Sequence, residues 1–293
     1  MSDRGEREDS HLNESWENLV PVGTREKVLL RRFLDRVASI IAQSIGSLLP
    51  TPEWYTATVQ VIRLLAPVCR LLIGSTRFRN DPRRGMIESW LISTILQRID
   101  AFEKPFPVPI KTTGTEELFE AWNHPHGVVI CSVHLPLWNL ILRSLVDLNC
   151  PPSAVVAGTK AIWAGMFHPW GSVLRLPALV ANKNVYIKAR GVLRHGGSVA
   201  TMMDLGAPLN LNLNLLRLIG TLGARVIFAT VELGDGGDVL VQFSSPPDPF
   251  CRTEESIRSN IEFFKSKIDY VLHPRGRTPA EVKEPPYARL ESK

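Results

Sequence analysis

The sequence predicts an α/β fold, a largely parallel sheet flanked by helices, preceded by an N-terminal layer of amphipathic helices. Two observations carry this. From Phe106 onward, short apolar runs of strand length alternate with helical patterns of about ten residues, the grammar of βαβ units. Ahead of them, Thr24 to Ile99 holds longer stretches whose apolar residues recur at helical spacing. A chain of 293 residues with 44% hydrophobic content can bury a sizeable core. The expected organisation is a disordered polar tail (1–23), a helical region that is a candidate for membrane association (24–104), an α/β core (105–272) and a loose C-terminal tail (273–293).

Each element has its own signal. Val28, Leu30, Phe33, Leu34, Val37, Ile40, Ile41, Ile45 and Leu48 make one helix that Pro50 stops, with Arg25, Lys27, Arg31, Arg32 and Arg36 crowding its first half. A second runs from Pro52 to Ile73, and a third, near Pro82 to Ile99, follows the basic patch Arg77, Arg79, Arg83, Arg84. In the core, Pro107–Lys111 reads as a short strand, and Thr115 is placed to cap a helix from Glu116 to Asn123. Strand Val128–Val133 and helix Leu137–Leu148 follow, then strand Ala154–Ala157 and a short helix Lys160–Phe167. Strand Leu176–Val180, helix Val185–His195 and strand Ser198–Met203 come next. Helix Leu211–Leu222 leads to strand Ala224–Leu233, which the Gly234–Gly237 turn folds back into Asp238–Phe243 as a hairpin. A last helix spans Glu254 to Val271.

Composition narrows the function classes. The net charge of +5 and a pI near 9.1 favour anionic partners. Cys69, Cys131, Cys150 and Cys251 show no CxxC spacing and sit in apolar surroundings, so they read as reduced core residues. His124, His126, His168 and His195 show no metal-ligand spacing. The polar N-terminus, Met1–Glu17, is unlike a secretory signal, and no window approaches 18 consecutive apolar residues. A Gly-x-Ser-x-Gly elbow, a Gly-x-Gly-x-x-Gly turn and a P-loop are all missing, which disfavours a serine hydrolase and a nucleotide-binding protein. No motif supports nucleic-acid binding.

The most informative stretch is Gly127-Val128-Val129-Ile130-Cys131-Ser132-Val133-His134-Leu135-Pro136-Leu137-Trp138-Asn139-Leu140. It puts an imidazole at the carboxyl end of a strand, where α/β sheets gather ligands and catalytic groups. The run resembles the first motif of the lysophospholipid acyltransferase-like superfamily, in its bacterial lipid A late acyltransferase branch: strand, His, four residues, then an acid, commonly with Trp before it. Trp138 is in place, but Asn139 stands at the acid position. Two later segments are similar to further family blocks, in the same order. Tyr186 to Asp204 holds a basic helix, glycines and a strand ending at Asp204, with Gly206 where a second acid is usual. Leu222 to Ala229 reads as helix, Gly-Ala and buried strand. The loop between these blocks is shorter than the family's, and Leu211–Leu216 stands in it instead.

The resemblance implies acyl transfer with His134 as general base, a task that suits imidazole, whose ordinary pKa is near 6.5. A carboxylate normally holds such a ring in one tautomer and stabilises the imidazolium. Asn139 can accept a hydrogen bond from the ring but brings no charge. Asp204 ends a strand that would open on the same edge as His134; either it forms a dyad with the ring or it caps the following loop. Asp147 falls at the far end of the helix and is a weaker partner. Trp138 packs beneath the site or lines it for substrate. Arg190 and Arg194, with Lys183 and Lys188, either meet a phosphate of the substrate or form a solvated helix face.

Two functions follow. One is a peripheral acyltransferase at the cytoplasmic face of a membrane, taking an acyl group from acyl-CoA or acyl carrier protein to a hydroxyl or amine of a lipid, sugar or metabolite, with no metal and no redox cofactor. The other is a non-catalytic acyl or lipid binder of the same fold. The basic amphipathic helices either lie in a membrane interface or pack on the sheet with a solvated basic edge.

Overall fold

The computed structural model describes residues 25–74, 87–156, 166–182, 184–204 and 211–272. Both expected tails, the basic patch Arg77–Arg84, Lys183 and most of the expected helix Lys160–Phe167 lie outside the described residues.

Three helices form the N-terminal layer: α1 (Arg25–Leu48), α2 (Trp54–Gly74) and α3 (Ile87–Asp100). A 3-10 turn over Thr51–Glu53 joins the first two, with Pro50 ahead of it in the extended conformation. Each helix packs on the other two. The buried stripe Leu34, Ala38, Ala42 and Ile45 of α1 has the four- and three-residue spacing of a core-facing helix surface. Arg98 of α3 donates to Ser39 Oγ at 2.8 Å and to Asp35 Oδ1 at 3.2 Å, tying α3 to α1.

The core is an eight-stranded sheet in the order β1-β8-β7-β2-β6-β3-β5-β4. Its strands are β1 (Ile110–Thr113), β2 (Val128–Ser132), β3 (Ser153–Val156), β4 (Met166–Phe167), β5 (Leu176–Val180), β6 (Ser198–Met202), β7 (Arg225–Leu233) and β8 (Val239–Ser244). All neighbouring pairs run parallel except the β7–β8 hairpin and β4–β5. This is the α/β class that the alternating pattern predicted. The connecting helices are α4 (Thr115–Trp122), α5 (Asn139–Asp147), α6 (Val185–Arg194) and α7 (Leu213–Leu222), and α8 (Glu254–Leu272) follows the hairpin. All five residues of β2 are buried, as expected of a strand covered on both faces. Phe228 of β7 stacks on Phe264 of α8 with centroids 4.2 Å apart, fixing that helix against the sheet. Tyr55 of α2 donates to the Gly237 carbonyl at 2.7 Å, joining the helical layer to the hairpin turn.

Three expectations need correction. Thr115 does not cap α4: it is the first helical residue, and Gly114, at φ +70°, holds the cap position with no side-chain hydrogen bond. Met166 and Phe167, expected at the end of a helix, form strand β4 against β5. The first strand begins at Ile110, because Pro107 and Pro109 have no N–H to give to a ladder, although the Pro109 carbonyl accepts from Val239.

Candidate active site

The order of the central strands creates the site. From β2 the chain continues to β3, which lies beyond β6; from β6 it continues to β7, which lies beyond β2. In open α/β sheets, a reversal of strand order of this kind marks the place, at the carboxyl ends of the strands, where ligands bind, here β2 and β6. The β2–β6 register ends at Ser132 beside Met202, and the Met203 amide donates to the Ser132 carbonyl at 2.8 Å, continuing it. Two residues past the last pair, His134 and Asp204 stand level, and the period of two sets both on the same face.

They meet. His134 Nδ1 lies 2.8 Å from Asp204 Oδ1, and the His134 backbone N–H donates to the same carboxylate at 3.1 and 3.2 Å. Because a carboxylate oxygen accepts, the Nδ1 proton points to Asp204 and the lone pair of a neutral ring is left on Nε2. The Asp204 side chain is 3% exposed and that of His134 36%, so the acid is sealed beneath a ring open to solvent. Asp204 is itself pinned by a bridge to Leu211, and Asn212 donates to the Met203 carbonyl at 2.7 Å. Of the two roles open to Asp204, pairing with His134 is realised.

Asn139 is the main correction. It is buried at the start of α5, and its Oδ1 accepts the Trp170 backbone N–H at 2.8 Å. The expected pairing with the His134 ring is not among the bonds of the described residues; Asn139 anchors the segment after β4. Asp147 is likewise taken, by Arg143 at 2.9 Å. Trp138 stands edge-on to His134, with centroids 6.5 Å apart, and stacks on Phe167 at 6.0 Å, so these two rings wall the site.

Among the described residues no hydrogen bond or ion pair ties Arg190 or Arg194 to it. Both are exposed on α6. Arg194 ends that helix, just before Gly197, which pairs with the start of β2. With about 3.3 Å per strand residue, it sits about 20 Å along β6 from Asp204, at the opposite edge of the sheet. Its charge complements the carboxyl end of its own helix.

The other nucleophilic groups nearby are inert. The thiol of Cys131, three residues before His134, is fully buried, and burial holds it well above its ordinary value. Ser132 Oγ is buried and donates to the Val133 carbonyl. Among the described residues no side-chain nucleophile is bonded to His134 Nε2. The arrangement suits a base acting on an external hydroxyl, amine or water. Among the described residues no group of three or more His, Cys, Asp or Glu side chains is gathered to hold a metal ion.

No protein-family model matches the chain, and no curated protein matches its sequence.

Proposed function

We propose that this protein is an acyltransferase that moves a fatty acyl group from a thioester, acyl-CoA or acyl carrier protein, to a hydroxyl or amine of a lipid, sugar or metabolite. The observation that carries this reading is the His134–Asp204 pair: a buried carboxylate on Nδ1 and an open Nε2. In the proposed reaction Nε2 takes the proton of the acceptor group as its oxygen or nitrogen attacks the thioester carbonyl. Asp204 stabilises the resulting imidazolium. The tetrahedral intermediate collapses, the C–S bond breaks, and the imidazolium returns its proton to the departing thiolate. Helix α5 begins at Asn139, five residues after His134. The Trp138, Leu140 and Ile141 amides there already donate to the Leu135, Leu137 and Trp138 carbonyls, so of the amides at this helix start the Asn139 N–H is the one proposed as a donor for the oxyanion.

The resemblance of the His134 stretch to the lysophospholipid acyltransferase-like superfamily, lipid A branch, supports the same reading. Asp204 supplies the charge that Asn139 does not. A peripheral position on the cytoplasmic face of a membrane belongs to this proposal. No helix of the described residues is long and apolar enough to cross a membrane. Phe33 and Ile40 of α1 and Leu64 and Val68 of α2 are nonetheless more than half exposed, with Arg32, Arg36 and Arg63 exposed beside them in sequence. Apolar side chains interleaved with cations suit an anionic membrane interface.

The test is incubation of purified protein with radiolabelled medium- and long-chain acyl-CoA or acyl carrier protein and a lipid extract. Transfer of label to a new ester or amide, lost in His134→Ala, supports the enzyme and identifies the acceptor. Retention of acyl ligand without turnover would support the non-catalytic acyl or lipid binder, the reading that the loss of the motif acid at Asn139 favours.

A further inference from the structure

The segment that walls the site is fastened by a second histidine–aspartate pair, far from the first in sequence. After β4 the chain turns through His168, Pro169, Trp170, Gly171 and Ser172. His168 Nε2 lies 2.6 Å from the Ser172 carbonyl oxygen, and Nδ1 lies 3.4 Å from Asp100 Oδ2, at the end of α3. Both facing atoms only accept hydrogen bonds, so both ring nitrogens must carry protons to satisfy them, and the ring is then an imidazolium. The other Asp100 oxygen accepts the Gly171 N–H at 3.1 Å. Gly171, at φ +66°, in turn receives the Phe106 N–H at 3.2 Å, and a Cβ there would meet the Phe106 carbonyl at 2.6 Å. One carboxylate thus holds the ring and the loop backbone together.

We propose that His168 and Asp100 form a proton-dependent latch that positions the Phe167–Trp138 wall beside His134. The path from latch to site is short: Phe167 precedes His168 in the chain and stacks on Trp138, whose edge faces the His134 ring. Trp170, two residues on, is the backbone donor that Asn139 holds. The ionisable groups facing the His168 ring are Asp100 from α3 and Arg175 from the segment ahead of β5. The hydrogen bond to Asp100 raises the affinity of the ring for its proton, and burial and Arg175 oppose this; the balance lies above the ordinary value. Arg143 of α5 reaches the same loop but is occupied by Asp147 and the Trp170 carbonyl. Because the folded-state pKa is raised, the contribution of the latch is fully present below about pH 6.5, the unfolded value, and is lost as the pH rises through the folded one. Neutral imidazole has one N–H and must release either Asp100 or the Ser172 carbonyl.

The role assigned to the wall rests on the acyltransferase reading; the latch itself does not. The first experiment therefore needs no turnover. The imidazole nitrogens of uniformly nitrogen-15-labelled protein are titrated by NMR, with His168 assigned from His168→Gln. Amide exchange of Trp170 and Gly171 is followed over the same pH range and corrected for the intrinsic rate. The expected result is a His168 titration above 6.5, both nitrogens protonated at its acid end, and exchange at Trp170 and Gly171 rising several-fold in step with proton loss. Asp100→Asn should bring that titration down by about one unit or more. A titration at or below 6.5, or exchange that ignores it, would overturn the latch. If His168→Gln fails to fold, the wild-type titration and the milder Asp100→Asn variant, which also identifies the resonance by its shift, carry the test. Where transfer is measurable, its alkaline fall in rate should move with the His168 titration in Asp100→Asn. Latch behaviour without any acyl transfer would support the latch and count against the acyltransferase reading alone.

Discussion

Asp204 touches one histidine twice, through the ring Nδ1 and through the backbone N–H of the same residue. Those contacts fix where the residue sits and which ring nitrogen is left with a lone pair. Asp204→Asn preserves an acceptor oxygen but removes the charge that imidazolium needs. In serine proteases the equivalent change costs about four orders of magnitude in turnover. A loss of about that size is expected here, with an unchanged circular dichroism spectrum. Asn139 is expected to behave differently. Removing its carboxamide in Asn139→Ala strands the Trp170 N–H, a loss of about 1–3 kcal/mol for a buried donor, seen as a lowered Tm. Asn139→Asp retains the acceptor and should leave turnover within a few-fold of wild type. A gain of orders of magnitude would mean that the acid position of the motif acts on His134 after all. The two residues differ because H-x4-N spacing counts residues along a turn entering α5, whereas Asp204 arrives through strand pairing.

At the scale of elements, the sequence was most legible where one apolar run makes one buried strand. β2 and β7, and the hairpin around Gly234–Gly237, fall within a residue or two of their expected bounds. Local chemistry misled at caps and edges. Thr115 is a good capping residue by type, yet Gly114 is required because its backbone is left-handed and its missing Cβ leaves room for the Phe243 carbonyl. Gly114→Ala should therefore destabilise the fold by more than about 1 kcal/mol, measured as a lower denaturation midpoint with unchanged slope. Strand β4 was invisible because two residues carry no period, and only pairing with β5 makes them a strand. The basic face of α6 illustrates the converse. The residues were found, but helix direction sets Arg194 at the edge opposite His134, so Arg194→Ala should leave turnover within a few-fold. Asp100 and His168, 68 residues apart, had no signal in spacing at all.

Across the whole molecule, the helical layer and the sheet share one hydrophobic core, reaching from Leu34 of α1 to Leu272 at the end of α8. The apolar side chains of Phe33, Ile40, Leu48, Leu64 and Val68, left on the outside of α1 and α2, are then the part of the layer not explained by folding. If they meet a membrane, the protein should co-sediment with vesicles rich in anionic lipid, less so as salt is raised, and Phe33→Ser with Leu64→Ser should weaken binding without lowering Tm. Equal binding to neutral and anionic vesicles would contradict the part assigned to the arginines. The central claim, however, is chemical, and it concerns the carboxyl ends of two central strands, where a base and an acid meet. The most direct measurement is acyl transfer from a labelled thioester by wild type, His134→Ala and Asp204→Asn, each checked for folding. The account predicts transfer by wild type, none detectable with His134→Ala, and a residual rate lowered by about 10⁴ with Asp204→Asn. Transfer that survives both substitutions would contradict it, as would a wild-type protein that holds the acyl ligand and never turns it over.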